Sequence, residues 1–519
     1  MIGAILLVHA VMIVANIHMD GDALLEAWQV SLQENVSGVL VHREGYTVLY
    51  AAQSFVIWII TGGIGFVLEW WNCLSTVRLL SIVSLAGIAA LLLRAIRAAG
   101  GVPAAQMLAV VFPFLWHGFS FICISCDDNI PADFLRLAFV LGIMWRLGCL
   151  PGAREKRIFG NPLSLGVILG FAVSWHLQCV LLIPVLLLSF WWAGAGSAGA
   201  RIREVAFIMG VGATIYLAWI VASLVAGLAG VIGWAGLLPA WLEHYGQGTG
   251  FWLFSSGRSL IDQAALVGQG FATMVAGFAS FRPEGSWSLA LPATGALVAV
   301  AAAMAASALW KTRTLGVLGA VLAVQVAHSL LYEPSNPERW DMPVIALGLL
   351  GGLAVTETLR LGRKAAARRL LAAFGVLSFL LAAMNVAAFA RFLDLGEKYF
   401  LESVRGERDL QEPRLDCMGA HRRMCKAARS FARIIKPEAG FREVISPERV
   451  DAYIFYATVR CLGMYMSLYE PGYPDRKGEP VYSVALFESP LPKFGMELEA
   501  REGFVFLILD KRGAGKPRK

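Results

Sequence analysis

Apolar runs recur from residue 1 to about 391, separated by short polar connections. Most are roughly 17–25 residues long, the length a helix needs to cross about 30 Å of hydrocarbon. They predict spanning helices over 1–17, 75–97, 104–124, 132–150, 204–231, 286–310, 314–332, 339–358 and 370–391. The run 162–193 is too long for one helix and too short for two with a loop. It is expected to break near "SWHLQC" into 162–175 and 177–193, with His176 and Gln178 close to the outer face. No internal repeat of the kind that marks many secondary transporters is visible.

Beyond about residue 396 the pattern changes to polar and charged. The segments "VDAYIFYATVRCLGMYM", "VYSVALF" and "GFVFLILDK" read as helix or strand pieces of a compact domain over 396–510. That length is enough to fold independently. The last residues, 511–519, read as a disordered tail. The expected fold class is therefore an all-α polytopic membrane domain over 1–395, followed by a small α/β domain.

Charge orients the helices. The loops with Arg94 and Arg97, with Arg154, Lys156 and Arg157, and with Arg201 and Arg203 read as cytoplasmic. So do Lys311 with Arg313, and the cluster from Arg360 to Arg369. Acid-bearing loops at 18–46, 125–133, 235–285 and 333–341 then fall outside. The run 47–66, "TVLYAAQSFVIWIITGGIGF", breaks this alternation if it spans. Taken as an interfacial or re-entrant helix on the outer side, it restores both signs, and Gly62, Gly63 and Gly65 suit a helix that ends there. The count is then about eleven spans, with the N-terminus inside and the tail outside.

Composition agrees with this picture. The chain is 57% hydrophobic and 16% charged, and its mean hydropathy is +0.64, against about a quarter charged in soluble domains. The first run lacks a basic n-region and a small-residue cleavage site, so it reads as a helix rather than a leader. The net charge of +7 reports topology, not nucleic-acid binding, because the basic residues sit in short loops. Two of the eight cysteines, Cys123 and Cys126, stand at CxxC spacing inside an apolar run. Cys417 and Cys425 lie in the tail, where a disulfide and two free thiols are both open.

Candidate chemistry gathers at the outer loops. "NIHMDGDALLEAW" places Asp20 and Asp22 directly after the first helix. Helix capping explains either one alone but not the repetition of acids beside apolar runs. "CDDNIP" sets Asp127, Asp128 and Asn129 before Pro131, in the first turn of the next helix. Two adjacent carboxylates at the membrane edge call for a cation between them. A divalent metal such as Mg or Mn, an acceptor amine or an arginine would each serve. "LLYEPSNPERWDMP" crowds Glu333, Glu338, Arg339 and Asp341 into a proline-rich turn, and the Arg339 fork suits a phosphate. The loop 241–262 adds His244 and Arg258 among glycines and aromatics. His176 reads either as a satisfied helix-end histidine or as a ligand contact.

In their order and their side of the membrane, these features resemble the GT-C superfamily of integral-membrane glycosyltransferases. The resemblance rests on Asp20 and Asp22, the interfacial "HREGYTVLYAAQSFVIW" with His42 and Tyr46, the "LSTVRLLSIVSLAGIAALLLRAIR" span and the second acidic motif, "CDDN". It covers residues 1 to about 395 and includes a soluble extracytoplasmic tail. The WWDYG-type motif of oligosaccharyltransferases is absent from the sequence.

The resemblance implies a sugar donor carried on polyprenyl phosphate and transfer on the outer face, in bacteria the periplasmic face of the inner membrane. The acceptor would be a glycan, lipid or protein. Asp20 or Asp22 would act as general base in an inverting attack, a contribution worth about 10²–10⁴-fold. Arg339, Arg258 or a metal at Asp127 and Asp128 would steady the departing phosphate. A transporter or flippase of a lipid-linked solute is the rival reading. It is weighed against here because a transporter places ionisable residues within its spans.

Overall fold

The computed structural model describes residues 2–15, 51–68, 73–126, 129–194, 196–225, 259–276, 290–310, 312–332, 334, 336–405, 440–445, 481–486, 497–502 and 505–509. The helices are α1 (Ile2–Ala15), α2 (Ala51–Gly65), α3 (Cys73–Ala98), α4 (Pro103–Phe114), α5 (His117–Ser125) and α6 (Asn129–Arg146). They continue as α7 (Ala153–Ile158), α8 (Pro162–Trp175), α9 (Leu182–Trp192), α10 (Ala198–Val225) and α11 (Leu260–Ala276). The last are α12 (Ala290–Leu309), α13 (Arg313–Leu331), α14 (Asp341–Arg360) and α15 (Lys364–Arg405). Short 3-10 turns, Leu177–Leu181 and Pro337–Trp340, precede α9 and α14.

Among the described residues, six helices are long and apolar enough to cross a membrane, and the bent pair α4–α5 would make a seventh. Each run expected to span has a helical counterpart, but α1, α8 and the turn-plus-α9 segment are shorter apolar helices. α6 carries Asp133 and Arg136 among its apolar residues. The segment 104–124 is not one straight span. Pro113 sits at its middle, and the axis turns by 70° between Phe114 and His117. The carbonyl of Phe114 freed at the bend accepts from Asn385 Nδ2 at 3.4 Å and lies 2.6 Å from Ser120 Oγ.

The run 162–193 does break at His176, whose extended backbone separates α8 from the 3-10 turn. α11 is a correction to the sequence expectation, which placed 235–285 in an outer loop. The polar Asp262, Gln263 and Gln269 break the continuous apolar run that marks a span, yet it buries Gln263, Val267, Met274 and Val275. α15 continues past residue 395 to Arg405.

α14 and α6 form the centre of the bundle, buried along nearly their whole lengths. Close helix approach rests on two small-xxx-small pairs. In α14, a Cβ at Gly348 would stand 2.9 Å from Ala109 O, and one at Gly352 would stand 2.9 Å from Ala105 O, both in α4. In α8, a Cβ at Gly166 would meet Val211 of α10 at 2.5 Å, and one at Gly170 would collide with Gly212 O.

The C-terminal strands are β1 (Gly440–Ile445), β2 (Val481–Leu486), β3 (Glu497–Glu502) and β4 (Val505–Leu509), in the order β1-β2-β4-β3. β1 pairs parallel to β2, and the other pairings are antiparallel. β2 and β4 fall within the apolar segments "VYSVALF" and "GFVFLILDK" of the sequence. The charged "ELEARE" forms an edge strand, where charge discourages further pairing. The segment 450–466, "VDAYIFYATVRCLGMYM", and both tail cysteines lie outside the described residues.

Candidate functional site

The helix directions separate two ends of the bundle. The C-termini of α3, α6 and α14 and the N-terminus of α13 carry Arg97, Arg146, Arg360 and Arg313. That end is tied together by Arg94–Glu155 and Arg146–Glu204 ion pairs and by Arg313 Nη1 donating to Leu147 O at 3.1 Å. The opposite ends of α6, α8, α13 and α14 meet at a buried polar cluster.

Its centre is Arg136, seven residues into α6 from Asn129 and one turn beyond Asp133. The i,i+3 spacing puts both side chains on one face of the helix. Arg136 Nη1 donates to Asp133 Oδ1 at 2.9 Å, and Nη2 donates to Gln178 Oε1 at 2.7 Å. Its Nε donates to Cys179 Sγ at 3.4 Å, and Nη2 stands 3.5 Å from His176 Nδ1. The break after α8 makes this possible, because the 3-10 turn aims Gln178 and Cys179 back toward α6. His176 Nδ1 also accepts the backbone N–H of Gln178 at 3.2 Å. With two N–H donors on Nδ1, the neutral ring keeps its proton on Nε2. A buried guanidinium is tolerated only when its charge and donors are answered in this way.

The second half of the cluster comes from the end of α13 and the start of α14. Asn336 caps the 3-10 turn, accepting from Glu338 N and donating Nδ2 to Glu338 Oε2, both at 3.0 Å. That turn carries Arg339 inward, where it is buried with its guanidinium 5.4 Å from the Tyr332 ring centroid. Trp340 packs edge-on against Phe271 of α11 at 4.9 Å, and Phe271 packs on Trp116 at the α4–α5 bend. Asp341, fully buried, lies within electrostatic range of Arg136. His328 lies within range of both Arg136 and Arg339. Two arginines and two aspartates thus share one buried region.

Several polar atoms in these elements have no hydrogen-bond partner among the described residues: Gln178 Nε2, His328 Nδ1, Trp340 Nε1 and both amide atoms of Gln263. Unsatisfied buried groups in such number are what a ligand or ordered water would complete. A cavity of about 20 Å³ between Arg136, Gln178, Gln325 and Met342 has room for a single water.

Of the candidate residues drawn from the sequence, His176 and Arg339 fall in the cluster. Asn129 lies buried at the start of α6, and Glu338 folds onto Asn336. Asp20, Asp22, His42, Tyr46, Asp127, Asp128, Arg258 and Glu333 lie outside the described residues. No group of three His, Cys, Asp or Glu that could hold a metal occurs among the described residues. The sequence reading missed Asp133, Arg136 and His328, and it named Gln178 and Asp341 without giving them a role. The available signal was an ionisable pair at i,i+3 inside an apolar run, which marks function or pairing in a membrane helix. The pair also corrects the ground on which a transporter was set aside, since it lies buried within the bundle.

No protein-family model and no curated protein sequence matches the chain. A solved structure does match it: the crystal structure of ArnT from Cupriavidus metallidurans bound to undecaprenyl phosphate. The TM-score is 0.54 at 14% sequence identity, over 98% of this chain and 99% of that one. At such low identity the likeness is one of fold alone.

Proposed function

From the GT-C fold, we propose that this chain is a membrane glycosyltransferase that takes a sugar from a polyprenyl-phosphate carrier. The observation that carries this reading is the likeness, over 98% of the chain, to a structure whose ligand is undecaprenyl phosphate. The buried Arg136–Arg339 cluster supports it, since it lies opposite the basic loops, where a phosphate on the outer side would need cations. On this reading the chain has about eleven spans, its active site and its 396–510 domain lie outside, and the bacterial inner membrane is its home.

The chemistry then follows from the residue types. An acceptor hydroxyl on a glycan, lipid or protein attacks the anomeric carbon, and the carbon–oxygen bond to the phosphate breaks. Polyprenyl phosphate leaves with the electron pair, and the configuration inverts. Asp20 or Asp22 takes the hydroxyl proton. Arg339 steadies the phosphate through its planar fork, with Arg258 as the alternative. Asp127 and Asp128 remain the residues that would hold a divalent cation or the acceptor.

A binding experiment tests the donor side. Undecaprenyl phosphate added to the purified protein should raise its unfolding midpoint, because a ligand of the native state stabilises by mass action. Undecaprenol, which lacks the phosphate, should do so far less. Equal shifts from the two lipids, or none from either, would count against a phosphate-reading site. A transporter or flippase of the same lipid would bind it without consuming the sugar bond, and the turnover assay below separates the two.

A further inference from the structure

A cleft at the basic end of the bundle plays no part in the proposed transfer. α3 reaches that end with an outward face of Val83, Ala86, Ala90, Leu93 and Arg97. Steps of three and four residues put these side chains on one stripe. From Val83 to Arg97 the stripe runs about 21 Å along the helix, at about 1.5 Å per residue. It is apolar until the arginine. Beside its lower half lies an open cleft of about 610 Å³ between α3 and the turn into α7, bounded by Ala90, Leu93, Arg94, Arg97, Pro151 and Glu155.

The floor of the cleft is built for this shape. Arg94 donates to Glu155 Oε1 from Nε at 3.2 Å and from Nη2 at 2.9 Å. Its guanidinium also lies 5.7 Å from the Phe159 ring centroid. Gly152, at φ +130°, leaves the space Glu155 uses: a Cβ there would stand 2.5 Å from Glu155 Oε2. The charge of Arg94 is therefore matched by Glu155.

That of Arg97 is not. It is exposed, donates only Nε to Gln106 Oε1 at 3.2 Å, and has no carboxylate partner among the described residues. Arg154, Lys156 and Arg157 stand exposed on α7 and add three more cations. With Arg94 and Glu155 cancelling, the cleft and its surroundings carry net positive charge next to an apolar track.

We propose that this cleft holds an anionic phospholipid, with its phosphate on the Arg97 guanidinium and an acyl chain along Val83, Ala86 and Ala90. A guanidinium fork suits a phosphate. A lipid with net negative charge gains from the whole cationic rim, whereas a zwitterionic one does not.

The test uses the full-length protein in nanodiscs with equal phosphatidylglycerol and phosphatidylcholine, released for native mass spectrometry. The wild type should retain phosphatidylglycerol in preference to phosphatidylcholine. Arg97→Ala should lower the retained anionic lipid about fivefold, the effect of one basic residue near an anionic surface, with phosphatidylcholine unchanged. Glu155→Gln, which frees Arg94, should raise retention. Ala90→Phe, which fills the track without touching charge, should lower it. Equal retention of the two lipids by the wild type would overturn the proposal, as would wild-type retention in both Arg97→Ala and Ala90→Phe. Displacement of the lipid by millimolar inorganic phosphate would assign the site to a free anion and overturn it too.

Discussion

Arg136 and Asp133, one helical turn apart on α6, form an ion pair at 2.9 Å with side chains only 5% and 0% exposed. The same guanidinium reaches Gln178 and Cys179 across the break after α8, so one side chain fastens two helices of the bundle. Removing either ion partner leaves the other charge buried without it. Arg136→Met and Asp133→Asn should each cost about 3–5 kcal/mol of stability. The double variant Arg136→Met/Asp133→Asn should cost less than the two single costs combined, because neither charge of the pair is left without the other. Thermal unfolding in one detergent, across the double-mutant cycle, checks this; additive losses would mean the two charges do not depend on each other.

Packing of α8 on α10 rests on the absence of side chains at Gly166 and Gly170. Gly170→Val drives two methyl groups toward Gly212 O and Ile215. The expected loss is about 1–3 kcal/mol from overpacking, read as a lower unfolding midpoint. Gly210→Ala, on the same pair of helices but with nothing within 4 Å of its added Cβ, should leave the midpoint close to wild type.

The membrane class, most helix positions and the break at His176 were legible from run lengths, charged loops and the "SWHLQC" interruption. Other features were legible only after folding. α11 was lost because Asp262, Gln263 and Gln269 break the apolar run that marks a span, and Pro113 marks a kink in 104–124 without giving its 70° angle. Arg136 was passed over because a single arginine in a hydrophobic run reads as an interruption, while its meaning comes from His176, Gln178 and Cys179, some 40 residues on. Arg339, by contrast, stood out beside two prolines in the sequence, and the structure buries it where that turn points inward.

If Arg339 holds the donor's phosphate, Arg339→Lys should weaken undecaprenyl phosphate binding about tenfold despite keeping the charge. Lysine loses both the planar fork and the stacking on Tyr332. Unchanged affinity would move the phosphate to Arg258 or to a cation at Asp127 and Asp128. Dependence of binding on added divalent cation distinguishes those two.

Topology is tested by labelling. In intact cells, a cysteine in place of Ala153, on the exposed face of the basic end, should be shielded from a membrane-impermeant thiol reagent. One in place of Ser335, in the proline-rich turn, should be labelled. The reverse pattern would put the buried Arg136–Arg339 cluster at the cytoplasmic side and the proposed transfer on the wrong face.

Turnover by the reconstituted protein tests the central proposal most directly. Proteoliposomes would receive a panel of radiolabelled polyprenyl-phosphate sugars, and loss of sugar from the carrier would be followed with and without candidate acceptors. Wild type should consume at least one donor. Asp20→Asn or Asp22→Asn, one of the two, should lower that rate by about 10²–10⁴-fold while donor binding survives. Binding without consumption by wild type would contradict the transferase reading and favour transport of the intact lipid. Consumption at near-normal rates in both aspartate variants would contradict the assignment of the base.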